Sequence, residues 1–444
     1  EDKVTEYDFD YVGPAPRSGG DTYNAVDVAD EFIYFGGWVH APAVYRGRGK
    51  VGSTISFVNK YSHVHEYDIE NNSIRLLWKE SIHHETKWAG EVSEIIYDPV
   101  NDRLLVARAD GHANLGVYEV NRRNGKVKQL ASYPALKGSI YLDYACFGVN
   151  VHPKGIQGIE CIDLVNDKVI VRELRNISSI SVDGDGVCSP RVGVAISAYG
   201  RLFTFIKGGV IVGNPVDGSM ESLGFIRLFD FVKAEYGPLR TMAKPVGGGI
   251  LVAFNSHSRA ILHPLKGEEE LQQALNTIVG PSILLYVTPP IARIIGVFGA
   301  RITGVERIGD KLLLATNTMA NLEHHDATPI DVGYRDFIIL SMDILYRNPP
   351  VSFKVTGKIV EDKTFGGIPL IGYKEPYIRI HATKSNKLSI KYYDLSLPPD
   401  NAQGDEYELK EGVNIIDLKS YRDYIVSFKL DRPDHDSTIK INLY

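Results

Sequence analysis

The 444-residue sequence is poor in sulfur, with three cysteines (Cys146, Cys161, Cys188) and four methionines. A sparse, odd cysteine count excludes a disulfide framework as the basis of the fold. The three thiols are expected to be buried and reduced. An excess of positive charge is also missing: 49 Lys and Arg stand against 55 Asp and Glu, for a formal net charge of −6. Nucleic acid and anionic membranes attract basic patches, so neither is an expected partner. No apolar run reaches the roughly 18 residues of a membrane-spanning helix. The most apolar window, residues 283–298, is broken by Pro289, Pro290 and Arg293. Glutamine is scarce, at five residues, and depletion of thermolabile side chains leans towards a thermophilic source. The chain starts at Glu1 with no visible leader. That fits a cytoplasmic protein, or an extracellular one whose signal peptide has been removed.

What is present is a recurring strand pattern. Residues 91–132 contain four short apolar runs, EVSEIIY, RLLVA, LGVYEV and KVKQLAS, separated by Asp98-Pro99, Asn101-Asp102, Gly111 and Asn124-Gly125. Runs of this length between Asn, Asp and Gly predict an antiparallel meander. The inner hairpin of that meander is written five times. Asp30-Glu31, Asp102-Arg103, Gly200-Arg201, Gly248-Gly249 and Asp310-Lys311 each precede four mostly apolar residues. A sixth, diverged copy is expected in residues 139–174, without a clean first turn. The units begin near Thr22, Glu91, Ile140, Arg191, Arg240 and Arg301. Radial repetition of such sheets is a β-propeller. After about residue 357 the hairpin signature stops. A polar connector over residues 361–367 leads to six runs that suit a β-sandwich. The expected fold is therefore all-β: a six-bladed propeller over residues 1–357 with a C-terminal β-sandwich over residues 366–444. A seventh blade, completed by residues 5–12, is the alternative. A short helix is expected over residues 267–277, where Leu271 and Leu275 are spaced i, i+4.

Motifs for chemistry are weak. Gly47-Arg48-Gly49-Lys50-Val51-Gly52 matches G-x-G-x-x-G, but a strand-like run follows where a dinucleotide site needs a helix. His63 and His65 share one strand face, which begins a metal site without completing one. Asp183-Gly184-Asp185-Gly186 resembles the start of a calcium loop and lacks its later ligands. Topology says more. The first turns are tight, while the second turns, residues 38–52 and 316–335, are long. Long loops on one end of a rigid scaffold carry binding residues. They hold His40, His112, His257, Asn317 and His324, and the inter-blade connections add Asp21, Glu91 and Arg301. These eight residues are the expected ligand-binding funnel.

The inner hairpins, together with ENNSIRLL, RNGKVKQL and NDKVIVREL, resemble the YVTN/WD class of propellers. The whole chain, from GPAPRSGGDTYN onward, also resembles uncharacterised propeller proteins of thermophilic archaea. The resemblance implies a scaffold and specifies no chemistry. The residues favour a non-enzymatic binding or assembly protein that presents its loop face to a protein or glycan partner, with self-association or a cell-surface role open to it. The alternative is a carbohydrate-active hydrolase or lyase with two carboxylates at the channel mouth, drawn from Asp21, Glu91 and Asp143. A lactonase-like site with Glu91, Asn317 and a His around a channel cation stands beside it. No cofactor or metal site is assigned.

Overall fold

The computed structural model describes residues 12, 20–40, 44–46, 54–87, 90–109, 113, 115–151, 154–174, 177–185, 191–217, 223–232, 236–238, 241–256, 281–317 and 335–444. The chain is all-β, and the helical pieces among the described residues are five residues or shorter. It divides into two compact units, Glu1–Leu174 and Arg175–Tyr444.

The first unit holds three four-stranded antiparallel sheets. Sheet one follows the order β1-β2-β5-β6, from β1 (Gly20–Ala29), β2 (Phe32–His40), β5 (Lys60–Asp68) and β6 (Ser73–Glu80). A small hairpin, β3 (Val44–Arg46) and β4 (Thr54–Ser56), sits inside the long β2–β5 connection. Sheet two contains β7 (Glu91–Asp98), β8 (Arg103–Ala109), β9 (Gly116–Asn121) and β10 (Val127–Ala131). Sheet three contains β11 (Ala135–Tyr141), β12 (Tyr144–Val151), β13 (Gly155–Asp163) and β14 (Val169–Glu173). Every residue of β8 is buried. Leu104 and Val106 pack towards Tyr34, Val64 and Trp78 of sheet one, while Leu105 and Ala107 pack towards Phe147 and Ile162 of sheet three. A strand covered on both faces needs no polar alternation, which is why its sequence is continuously apolar.

A five-residue turn closes four of these hairpins: residues 68–72, 98–102, 121–125 and 163–167 each run Asp or Asn, two residues, Asn, then Asn, Asp or Gly. The first side chain accepts a backbone N–H, as Asp68 does from Asn71 and Asp163 does from Val165. The fifth residue takes the left-handed conformation (φ 49° at Asn72, 50° at Asp102, 67° at Gly125, 60° at Asp167). Asn, Asp and Gly tolerate that region best, so the turn chemistry fixes the register.

The second unit begins with sheet four, from β15 (Val192–Ala198), β16 (Arg201–Ile206), β17 (Gly209–Gly213) and β18 (Gly224–Arg227). Sheet five joins β19 (Tyr236–Gly237), β20 (Ala243–Val246), β21 (Gly249–Ser256), β22 (Ser282–Thr288) and β23 (Ile291–Phe298). Sheet six has three strands among the described residues: β24 (Arg301–Ile308), β25 (Lys311–Asn317) and β26 (Arg335–Ser341). Two sheets of non-sequential order follow. One runs β27-β34-β29-β32, from β27 (Val351–Thr356), β34 (Thr438–Leu443), β29 (Tyr377–Ala382) and β32 (Gly412–Asp417). The other runs β28-β33-β30-β31, from β28 (Phe365–Pro369), β33 (Ile425–Leu430), β30 (Asn386–Tyr393) and β31 (Gln403–Leu409). Their inner faces share one apolar core with sheets four and five, running from Phe203 and Phe254 through Phe229 and Phe353 to Phe428 and Ile441.

Three expectations change. The third unit does have a tight first turn, Leu142-Asp143, and its first strand starts at Ala135. Leu142 takes φ 51° there without a Gly or Asn to announce it. The C-terminal region has eight strands, not six. VSFKVT reads as the tail of the last repeat, and FGGIP, buried throughout, shows no alternation and overlaps the connector expected over residues 361–367. Cys146 and Cys161, register partners on β12 and β13, form a disulfide across a Cα–Cα distance of 4.0 Å, in place of reduced thiols. The carboxylates of the Asp183-Gly-Asp185 turn meet cations of the chain itself: Arg227 pairs with Asp183 at 2.5 Å and Lys429 with Asp185 at 3.1 Å. The helix expected over 267–277 and Cys188 lie outside the described residues.

Candidate functional site

A β-bulge interrupts the first strand of five sheets. The register shifts between Asp21 and Ala25 in β1, Val92 and Glu94 in β7, Ala135 and Gly138 in β11, Val192 and Val194 in β15, and Ile302 and Gly304 in β24. A bulge re-aims side chains and frees backbone groups from the ladder. In the first unit the three bulged strands lie side by side and run the same way. Ser93 donates to Ala135 O at 3.4 Å, and Tyr97 N donates to Asp27 Oδ2 at 2.7 Å. The strand starts therefore share one end and the tight turns the other.

Five polar residues gather where these strands meet: Asn24 and Asp27 on β1, Glu91 and Glu94 on β7, and Lys137 on β11. Lys137 is buried. Its ammonium donates to Asn24 O at 3.3 Å and pairs with Glu94 at 3.8 Å. Glu94 Oε2 also accepts Gly138 N at 3.2 Å. Asp27 and Glu94 thus repeat one motif, a carboxylate on one first strand accepting a backbone N–H of the next. That much is architecture. Lys137 adds a buried cation between two acidic groups. Burial moves both partners towards neutrality. It raises Glu94 to about 7 against the pull of Lys137, with Asp27 raising it further. It lowers Lys137 against the opposing charges of Glu94 and Glu91. A carboxyl held near neutral pH beside a second carboxylate is the arrangement of a proton donor in hydrolysis.

The tight-turn end is different. Arg122 binds Tyr34 and Asp30 of sheet one, at 2.9 and 3.0 Å, and Asp102 of its own sheet. Arg103 holds Asp98 and Glu119 at 2.7 Å and reaches Asp167 of sheet three at 2.5 Å. These charges are consumed in joining sheets.

The expected funnel residues divide as follows. Glu91 opens β7, is buried, and bears electrostatically on Lys137. Asp21, opposite Trp38, and His40, which ends β2, lie at the same end of their sheet as the strand starts. Arg301 and Asn317 are direct register partners at the end of sheet six. His112, His257 and His324 lie outside the described residues, as do the side chains of Asp21, His40 and Asn317. Asp143 sits exposed in the β11–β12 turn. It is at the far end from Glu91, which removes it as that residue's catalytic partner. His63 and His65 are buried on β5 with their Nδ1 atoms 3.0 Å apart. Burial takes His63 to about 3, with His65 adding to the shift, and His65 to about 4, so both rings are neutral. Among the described residues no three His, Cys, Asp or Glu side chains gather to hold a metal ion. Asn24, Asp27, Glu94 and Lys137 were missed by the sequence reading. Their signal was a polar residue interrupting an otherwise apolar first strand.

A family model described as an uncharacterized protein conserved in archaea (DUF2139) matches residues 1–325. The chain belongs to this family. The archaeal resemblance is therefore shown at the level of the family, and residues 326–444 fall outside the match. A search of curated proteins finds no match. Among solved structures, the extracellular domain of a hybrid two-component system from B. thetaiotaomicron is 12% identical with a TM-score of 0.39, covering 73% of this chain and 35% of that one. The chain thus spans about a third of that protein's length. A luciferin-regenerating enzyme is 12% identical with a TM-score of 0.38, covering 73% of this chain and 91% of that one. An exo-beta-1,3-galactanase from Phanerochaete chrysosporium is 7% identical with a TM-score of 0.33, covering 97% of both. Among the described residues no helix is long and apolar enough to cross a membrane.

Proposed function

We propose that the protein is a six-bladed β-propeller with a C-terminal β-sandwich beginning at Val351, and that it hydrolyses a carbohydrate on the innermost strands of the propeller. Glu94 is the proton donor. Asp27 is the second carboxylate, and Lys137, balanced by Glu91, positions Glu94 and sets its charge. The observation that carries the reading is Glu94 itself, a largely buried carboxyl that pairs with Lys137 at 3.8 Å and is raised to about 7 by burial, with Asp27 raising it further. Glycoside cleavage needs one carboxyl protonated and one ionised across the scissile bond. Of the remaining funnel residues, Asp21, His40 and His112, which belong to the same unit as Glu94, would contact the glycan. The test is reducing-sugar release from a panel of polysaccharides. The expected result is hydrolysis of at least one, reduced about a thousandfold in Glu94→Gln. Release that Glu94→Gln leaves unchanged would overturn the assignment.

A second reading, self-assembly, draws on β26. It ends the three described strands of sheet six with Phe337 and Ile339 about 60% exposed. An apolar edge that is open among the described residues invites strand addition from another copy. Light scattering of Phe337→Lys against the wild type tests it, and an unchanged mass would dismiss this edge.

A further inference from the structure

The outer face of the sheet β27-β34-β29-β32 carries a row of cations. Lys354 on β27 is the direct register partner of Lys440 on β34, and Lys440 is the partner of Arg379 on β29. All three are exposed. Like charges placed directly opposite across a sheet are destabilising. Among the described residues, none of the three has an ion-pair partner. The one carboxylate that the four strands present on this face, Asp417, pairs with Lys419 at 3.8 Å. Beside the row the face turns aromatic and aliphatic. Tyr377, two residues before Arg379, stacks on Tyr444 with ring centroids 6.3 Å apart. Ile415 lies opposite Arg379, and Val413 opposite His381.

We propose that this face binds a linear acidic polysaccharide, a polymer with a carboxylate on each sugar. Strands lie about 4.8 Å apart, so the three cations recur at roughly that interval across the sheet. That matches one anionic group per sugar ring laid across the strands. The Tyr377–Tyr444 pair and Ile415 supply the apolar surface on which a sugar face rests. A nucleic acid is the poorer fit. Its affinity rests on many phosphate contacts, whereas this chain carries a net charge of −6 and offers three clustered cations. The inference is independent of the chemistry assigned to Glu94.

Affinity electrophoresis of the full chain in gels containing polygalacturonate tests it, with neutral dextran and single-stranded DNA as the comparison ligands. The expected result is retardation by polygalacturonate alone. It weakens with added salt, falls at least tenfold in the triple variant Lys354→Ser, Arg379→Ser, Lys440→Ser, and falls several-fold in Tyr444→Ala. The thermal midpoint of the triple variant, equal to or above the wild type, would show that lost binding is not lost folding. Three results would overturn the proposal: no retardation by polygalacturonate, equal retardation of the triple variant, or single-stranded DNA binding at least as tightly.

Discussion

The first strands of sheets one to three and the C-terminal pair of sheets use the same alternation in opposite ways. In the sheet β27-β34-β29-β32 the inward positions of β27, β29 and β34, from Val351 and Phe353 through Ile380 to Leu443, are apolar, and the cations Lys354, Arg379 and Lys440 face solvent. On β1, β7 and β11 bulges break the alternation and bring Asn24, Glu94 and Lys137 together. The comparison separates two kinds of charge. A solvated charge costs little and serves recognition. A buried ionisable pair is costly, and the pKa values it displaces point to function.

The comparison breaks first at Glu94. Its replacement by Gln is expected to remove about three orders of magnitude of hydrolytic rate, measured on the substrate that the polysaccharide panel identifies. Next comes Phe353→Ala, which empties a site lined by Phe229, Phe231 and Tyr236. It should cost about 3–5 kcal/mol in denaturant titration.

Glu160 gives a prediction with a sign. It is buried beside Phe147 on β13, and burial raises its carboxyl to about 8. The folded state then holds a proton that the unfolded state has already lost between about pH 4.5 and 8, so stability falls as pH rises through that window. Glu160→Gln should remove most of this fall and gain a few kcal/mol at pH 8.5, at about 1.4 kcal/mol per pKa unit. Thermal melting across the pH range checks it. His63 and His65 work the other way. Their lowered values mean that stability is present above about 6.5, the unfolded pKa, and is lost as pH falls towards 4 and then 3. The smallest effect is expected at Lys440→Ser, within about 0.5 kcal/mol and in the stabilising direction.

The sequence showed the inner hairpins because β8, β16 and β25 carry near-continuous apolar runs after tight turns. Leu142 hid the third such turn, since nothing about leucine announces a left-handed conformation. FGGIP hid β28, because a short strand buried on both faces carries no period. The candidate site was half legible. Glu91 was placed at the strand-start end by topology alone. Glu94 and Lys137 were not, because a bulge is a property of strand pairing and leaves no fixed residue signature. The Cys146–Cys161 bond was equally invisible, since it depends on the register of β12 against β13.

The most direct test is the titration of the Glu94 carboxyl itself. The 13C-glutamate difference spectrum of the wild type against Glu94→Gln isolates its resonance. A midpoint near 7, moving higher when Lys137→Met removes the attracting cation, is the predicted result. A midpoint between 4 and 5, the ordinary range of a solvated glutamate, would contradict the proton-donor role and with it the proposed site.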